Sequence, residues 1–409
     1  MPSVHSLATF LALAGATFAA PTNTHVFSKR SFSINQVARG QRLKSAPLEM
    51  RRTYRKYGKP VPTQVDRAAA AVSTGSAPAN PAQYDQYYLT PVEVGGQDLE
   101  LDIDTGSGDL WVFSTMMNST TTSGRTLYDP ARSNSSDLLE DETWRIQYGD
   151  GSGAAGVVYA DKVVVGGVTA TSQAVEAATS VSRSFAEDAD MDGLMGLSFG
   201  SINTVEPTRQ QTFFESVVGS LDEPVFAVTL KSGEPGSYDF GFVDPAKYDG
   251  ELTYVDVDSS DGFWQFAVDG YGVGGSGPAN SSSSFTCIAD TGSSLMYVPS
   301  GPLNEYYGAV EGATFDRFQG AWTLPCDAEL PDFSLVIGGA SLVVPGRFVS
   351  YAPVDDTNET CYGGMQSSAG IGFCLLGDVF LKGLYVVHDV GTSPPRMGWA
   401  QQAGLDVGS

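Results

Sequence analysis

Short apolar runs separated by Gly, Asp, Asn and Ser dominate the chain from Tyr84 onward. Val157-Val158-Tyr159, Lys162-Val163-Val164-Val165-Gly166-Gly167 and Val225-Phe226-Ala227-Val228-Thr229-Leu230 read as strands closed by turn residues. Two further runs share an ending. Leu99, Leu101 and Ile103 lead into Asp104-Thr105-Gly106-Ser107, and Phe285, Ile288 and Ala289 lead into Asp290-Thr291-Gly292-Ser293. Strand-like residues resume after each, at Leu110-Trp111-Val112-Phe113 and at Leu295-Met296-Tyr297-Val298. Each aspartate therefore stands where a buried strand breaks at a Thr-Gly turn. Helical periodicity is scarce, its clearest instance being Thr212-Phe213-Phe214-Glu215-Ser216-Val217-Val218. The pattern predicts an all-β protein.

At 409 residues the chain is too long for one ordinary core, which predicts two lobes. The two Asp-Thr-Gly phrases lie 186 residues apart. A second echo follows them: Gly196 of Asp192-Gly193-Leu194-Met195-Gly196-Leu197 comes 92 residues after Asp104, and Gly377 of Leu375-Leu376-Gly377-Asp378-Val379 comes 87 after Asp290. Matched spacing of this kind implies one structural unit used twice.

Charge divides the chain sharply. Residues 1–20 carry no Lys, Arg, Asp or Glu, run through Leu7-Ala8-Thr9-Phe10-Leu11-Ala12-Leu13-Ala14 and end in Ala19-Ala20. They read as a signal peptide, although without a basic leading segment, and are too short to span a membrane. Residues 21–70 hold eleven Lys/Arg against Glu49 and Asp66, a net of +9, while residues 71–409 hold 12 Lys/Arg against 45 Asp/Glu, a net of −33. Opposite charges would hold the basic segment on the acidic body at neutral pH, and acid would release it. It is expected to be an inhibitory propeptide, with the mature chain starting near Ala70 and residues 71–83 forming a flexible lead-in. The only basic segment being removable, nothing points to nucleic acid. Gly272–Ser284 reads as a surface loop.

Four cysteines in an exported chain point to disulfides rather than metal. Cys326 and Cys361, 35 residues apart, are the expected bridge. Cys287 and Cys374 either pair or stay as buried thiols, and thiols are favoured. Asn118-Ser119-Thr120, Asn134-Ser135-Ser136, Asn280-Ser281-Ser282 and Asn358-Glu359-Thr360 are glycosylation sequons.

Two carboxylates facing each other across matching turns cannot both ionise cheaply, so such a pair would share a proton and work as acid and base together. The stretches Asp104-Thr-Gly-Ser-Gly-Asp-Leu-Trp-Val-Phe-Ser, Tyr148-Gly-Asp-Gly-Ser, Asp192-Gly-Leu-Met-Gly-Leu, Asp290-Thr-Gly-Ser-Ser and Leu376-Gly-Asp-Val-Phe-Leu resemble, in order, those of the pepsin-like aspartic endopeptidases, in their secreted fungal branch. The resemblance implies a bilobal fold of two β-barrel-like lobes with the cleft between them. The lobes are expected at residues 71–232 and 233–409. It implies hydrolysis of internal peptide bonds by a water held between Asp104 and Asp290, with no metal or cofactor, and sensitivity to pepstatin-type inhibitors. In pepsin such a dyad titrates at about 1.5 and about 4.7. Values of this kind belong to the pair and assign no fixed role to either carboxylate.

By family position, Thr105, Ser107, Thr291, Ser293 and Trp111 support the pair. Tyr148, Gly149, Asp150 and Ser152 form a flap over the substrate, Tyr148 reaching the indole of Trp111. Asp102, Phe185, Leu194, Gly106, Gly292 and Ser294 line the substrate site. Asp150 and Asp102 could receive a Lys before the scissile bond within a general preference for large apolar residues, or Asp150 could serve only the turn. Lys56 resembles the propeptide lysine that docks between the two aspartates, with Lys59 as the alternative. A ligand-binding relative that has lost its pair is the competing reading, and a structural surface glycoprotein a third. The first would show losses at positions that are intact here; the second leaves the doubled motif unexplained. A Ser/His hydrolase is excluded because His5 and His25 fall in removed segments, leaving only His388. The expected protein is a secreted monomer whose partners are protein and peptide substrates and its own propeptide.

Overall fold

The computed structural model describes residues 30–73, 84–118, 122, 124–147, 153–182, 186, 191–274 and 284–407, without the side chains of 39–43, 73, 84–88 and 147. Strands dominate, as the alternation predicts. In Gln97–Asp104, Leu99, Leu101 and Ile103 point into the core while Asp98, Glu100 and Asp102 are more exposed. The continuous apolar run Val225–Thr229 is buried on both faces and lies inside a six-stranded sheet. Its neighbours are Ser237–Phe240 and Leu384–Asp389, so this sheet joins the middle of the chain to its end.

The doubled phrase folds as a doubled unit. Gln97–Asp104 runs parallel to Gly193–Gly196 with Asp104 opposite Gly196, and Leu110–Phe113 returns antiparallel to the same strand. Phe285–Ala289 runs parallel to Cys374–Leu376 with Ala289 opposite Leu376, and Met296–Val298 returns antiparallel to it. The paired echoes of the sequence are thus the strands that flank each aspartate. Leu197 N donates to Asp104 O at 2.8 Å, and Asp290 N donates to Leu376 O at 3.0 Å.

The basic segment is built into this body. Phe32–Asn35 forms the edge of the six-stranded sheet beside Ser237–Phe240, with Phe32 stacked on Phe240 at 4.9 Å. Val37–Leu43 pairs with Tyr84–Val94. Helix α1 (Ala46–Lys56) follows, with Pro47 in its first turn and Arg55 and Lys56 in its last. It buries Ala46, Glu49, Met50, Thr53 and Tyr54, the i, i+3, i+4 spacing of one face. Gly58, at φ +62°, lets the chain turn away after it. Helix α2 (Thr63–Ser73) buries Val65, Ala68 and Ala69. Helix α3 (Phe213–Val217) realises the one helical pattern of the sequence, closed by a capping box in which Thr212 Oγ1 accepts from Glu215 N at 3.3 Å and Glu215 Oε2 accepts from Thr212 N at 3.0 Å.

Three expectations are corrected. Ala71–Ser73, read as part of a flexible lead-in, continue helix α2, because the alanine run favours helix and packs on the body. Gly272 and Val273 belong to the strand Gly270–Val273 rather than to a loop. Cys287 and Cys374 are not thiols: parallel register sets them opposite each other with Cα atoms 4.4 Å apart, and they form a disulfide. Cys326 and Cys361 form a second, with Cα atoms 4.9 Å apart.

His388 is 1 % exposed, stacked on Phe226 at 4.2 Å and edge-on to Trp264 at 4.8 Å, and neither ring nitrogen has a partner among the described residues. Burial pushes its pKa down to about 3. An unfolded chain binds this proton already below about 6.5, so stability falls as the pH drops from there toward 3. His388→Phe keeps a stacked ring without the titration. In scanning calorimetry it should raise the melting temperature by roughly 5 °C at pH 3 and much less at pH 6.5.

Candidate active site

Asp104 and Asp290, each at most 1 % exposed, meet beside a cleft of about 1580 Å³ lined by Asp104, Gly106, Ser107 and Gly292 among others. The turns that carry them are locked by a crossed set of hydrogen bonds. Thr105 N donates to Thr291 Oγ1 and Thr291 N to Thr105 Oγ1, both at 3.1 Å. Each hydroxyl then donates across to the other half, Thr105 Oγ1 to Ala289 O at 3.1 Å and Thr291 Oγ1 to Ile103 O at 2.7 Å. A threonine suits this position because one hydroxyl both accepts and donates.

Around the carboxylates the symmetry continues. Gly106 N and Ser107 Oγ donate to Asp104, each at 2.7 Å, and Gly292 N and Ser293 Oγ donate to Asp290 at 3.0 and 2.6 Å. The glycines permit close approach: a Cβ at Gly106 would lie 2.5 Å from Asp290 Oδ1, and one at Gly292 would lie 2.5 Å from Asp104 Oδ1. Each turn thus presses its bare backbone against the opposite carboxylate.

Lys56 Nζ sits between the two, donating to Asp104 Oδ1 at 2.7 Å and to Asp290 Oδ1 at 2.6 Å. Lys59, the alternative, instead lies over the Phe373 ring at 5.9 Å. Tyr57 OH donates to Asp290 Oδ2 at 2.7 Å, a contact the sequence signalled only by adjacency to Lys56. Tyr57 packs edge-on to Phe373 at 4.9 Å and near Phe263 at 5.8 Å, two cleft residues that no motif marked. Glu49 was also missed; its carboxylate accepts from Ser294 Oγ at 3.1 Å and pairs with Arg52 at 2.6 Å.

Burial favours the neutral form of both aspartates, and the balance differs between them. Burial, reinforced by the neighbouring charge of Asp290 and only partly offset by Lys56, pushes Asp104 up to about 6. For Asp290, the Lys56 ammonium and hydrogen bonds from Asp104, Lys56 and Ser293 outweigh burial and hold it below the ordinary range. Burial works against the Lys56 ammonium, yet the two carboxylates hold its pKa above the usual value.

Of the remaining expected site residues, Asp102 and Leu194 line the cleft as in-register neighbours on parallel strands. Trp111, 1 % exposed, packs between Phe113 and Trp144 at 5.2 and 6.1 Å. Tyr148, Gly149, Asp150, Ser152 and Phe185 lie outside the described residues. Among the described residues no cluster of ligating side chains could hold a metal ion.

Residues 87–402 match the family described as Eukaryotic aspartyl protease. Aspergillopepsin-1 of Aspergillus fumigatus is 51% identical over 378 residues, covering 92% of this chain and 93% of that protein. Penicillopepsin-2 of Penicillium janthinellum is 49% identical over 395 residues, covering 96% and 98%. The Aspartic protease pepA of Leptosphaeria maculans is 49% identical over 419 residues, covering 99% and 100%. The chain belongs to the eukaryotic aspartyl proteases. It is a pepsin-like aspartic endopeptidase, similar throughout its length to the aspergillopepsins and penicillopepsins.

Replacing Thr105 by Val removes one hydroxyl and leaves Thr291 N and Ala289 O without their partner. It should cost about 2–4 kcal/mol of stability, read as a lower melting temperature by circular dichroism, whereas a Thr105→Ser variant should recover most of the loss.

Proposed function

We propose that Asp104 and Asp290 are the catalytic pair of an acid endopeptidase made as a zymogen, and that Lys56 is its internal inhibitor. The observation that carries this reading is the single ammonium seated between two otherwise symmetric, buried carboxylates. With Lys56 gone, its place between the inner oxygens suits a water. One carboxylate takes a proton from that water as its oxygen attacks the scissile carbonyl. The other, initially protonated, hydrogen-bonds the carbonyl oxygen and steadies the tetrahedral gem-diol. The proton then passes to the leaving amine, and the peptide bond breaks with no covalent intermediate. Ser107 and Ser293 hold the outer oxygens, and Thr105 and Thr291 keep the pair from drifting apart.

The basic segment 21–70 acts as the propeptide, residues 1–20 as its export signal, and residues 71–232 and 233–409 as the two lobes. Tyr148, Gly149, Asp150 and Ser152 close over the substrate as a flap against Trp111, while Gly106, Gly292 and Ser294 meet its backbone. Tyr57 stands in for a substrate aromatic side chain: the Phe263 and Phe373 rings that hold it support a preference for large apolar residues, with Phe185 and Leu194 as further walls. Asp150 and Asp102 would accept a Lys before the scissile bond. The enzyme acts as a secreted monomer on protein and peptide substrates and binds pepstatin-type inhibitors. No helix of the described residues is long and apolar enough to cross a membrane.

Hydrolysis of a denatured protein from pH 2 to 8, after acid treatment of the full chain, tests the reading. Acid-optimal cleavage abolished by pepstatin, and lost at least 10³-fold in Asp104→Asn and in Asp290→Asn, is the expected result (on the order of the loss for a group made essential to acid–base chemistry). Retained cleavage in either variant would overturn it. The latch has its own signature. Asp104 takes up a proton near pH 6, so Lys56 loses one charged partner there. The contact with Asp290, present above the ordinary carboxylate range, is lost only as the pH falls through its depressed value. Lys56→Met removes the ammonium and leaves the pair to share a proton without a countercharge. Its lag before peptide hydrolysis should disappear at pH 5.5–6, where the parent remains latent, as followed by a fluorogenic peptide and by gel mobility.

A further inference from the structure

A second pair of carboxyl groups is buried beside the first. Asp109 follows the Asp104 turn and is 3 % exposed; Glu176, on the strand Val168–Val181, is fully buried. One nitrogen, Asn203 Nδ2, donates to Asp109 Oδ1 at 3.0 Å and to Glu176 Oε1 at 2.8 Å, and approaches Gly108 O at 3.2 Å. Thr204 N adds a donor to Asp109 Oδ1 at 2.7 Å. Sharing that one donor places the two carboxyl groups side by side. Glu176 Oε2 receives no bond from any N–H or hydroxyl among the described residues.

Among the described residues the surroundings supply no countercharge. Glu176 faces Trp111 on one neighbouring strand and Val158 on the other, and the loop above contributes Asn203 and Thr204. On that loop Arg209 is turned to Ser201 O, and Glu215 of helix α3 accepts from Gly200 N and Thr212 N. Among the described residues the charge that bears on Glu176 is that of Asp109. Two negative charges this close in a dry interior would repel strongly, so the site is built to hold one proton and at most one charge. One proton shared by the two carboxyl groups relieves that repulsion.

The pair bears directly on the catalytic turn. Gly196 N donates to Asp109 O at 2.8 Å and Ser198 N to Ser107 O at 2.9 Å, while Ser107 Oγ holds Asp104. We propose that Asp109 and Glu176 are positioning residues that share one proton, and that loss of this proton toward neutral pH releases the Ser107–Asp109 turn and sets the upper pH limit of the enzyme. This rests on Asp104 being a working carboxylate, and it adds to the dyad a second titration that acts through Ser107. Burial, and for Glu176 also the charge of Asp109, raises both groups above the usual carboxylate range.

Glu176→Gln tests it, since an amide keeps a donor toward Asp109 but cannot ionise. In acid-activated enzyme, kcat/KM at each pH is taken relative to the protein's own acid maximum. The upper limb of the variant should move up by about one pH unit, so that it is about tenfold more active than the parent one unit above the parent's limit. The shift should sit in kcat rather than KM and be insensitive to salt, as a buried pair is poorly screened. An unmoved limb, or a parent limb that shifts with salt as surface repulsion would, overturns the proposal. A direct reading follows the full-length zymogen by infrared from pH 5 to 8. On the acid side the parent should hold, over Glu176→Gln, the carbonyl stretch of an additional un-ionised carboxylic acid that fades toward neutral pH; absence of any such titrating band in the parent also overturns the proposal, even if the variant fails to fold. Pepstatin-sensitive cleavage at the acid optimum is read in the same samples, so failure here is distinct from failure of the peptidase reading.

Discussion

Two carboxylates that repel each other must be kept within reach of one small bound group, and the rest of the structure serves that constraint. Asp104 and Asp290 come from opposite halves of the chain, so neither half can fix their separation alone. The crossed threonine bonds do so, tying Thr105 to Ala289 and Thr291 to Ile103, each the residue immediately before the opposite aspartate. Bare glycines at 106 and 292 let the backbones close in without a clash. In the zymogen, Lys56 occupies the space so created and turns a repulsive pair into a favourable triad.

The same constraint explains the repeated architecture. A strand ending in Asp, flanked by a parallel strand that pairs at its end, gives a carboxylate whose backbone is fully engaged and whose side chain alone faces the cleft. Using the unit twice gives two such carboxylates in related settings. Their difference in proton affinity then comes from what each accepts rather than from the fold of its turn.

Acid runs through the chemistry at several depths. Residues 71–409 carry a formal net of −33, a repulsion that protonation relieves. Deeper, the Asp109–Glu176 pair favours the protonated state, whereas His388 opposes it, because a neutral ring between Phe226 and Trp264 has nowhere to place a charge. Stability therefore depends on pH through groups in the interior as well as through the dyad.

Much of this was legible in the residues. The strand pattern, the doubled Asp-Thr-Gly, the matched echoes at Gly196 and Gly377 and the charge reversal after residue 70 all depend on local order and composition, which the chain displays directly. Lys56 was reached only through the resemblance of its segment to the family's propeptide, with Lys59 as the alternative. Tertiary structure alone decided which distant groups meet. Register set Cys287 against Cys374, docking carried Tyr57 onto Asp290 and into the ring pair Phe263–Phe373, and Asn203 was brought between Asp109 and Glu176. These contacts join residues far apart in the chain, and no spacing or periodicity records them. The sequence by itself determined that two aspartates would end two alike strands; how close they stand, what caps them and where their protons reside are properties of the packed interior, because desolvation and hydrogen bonding act only once the halves have met.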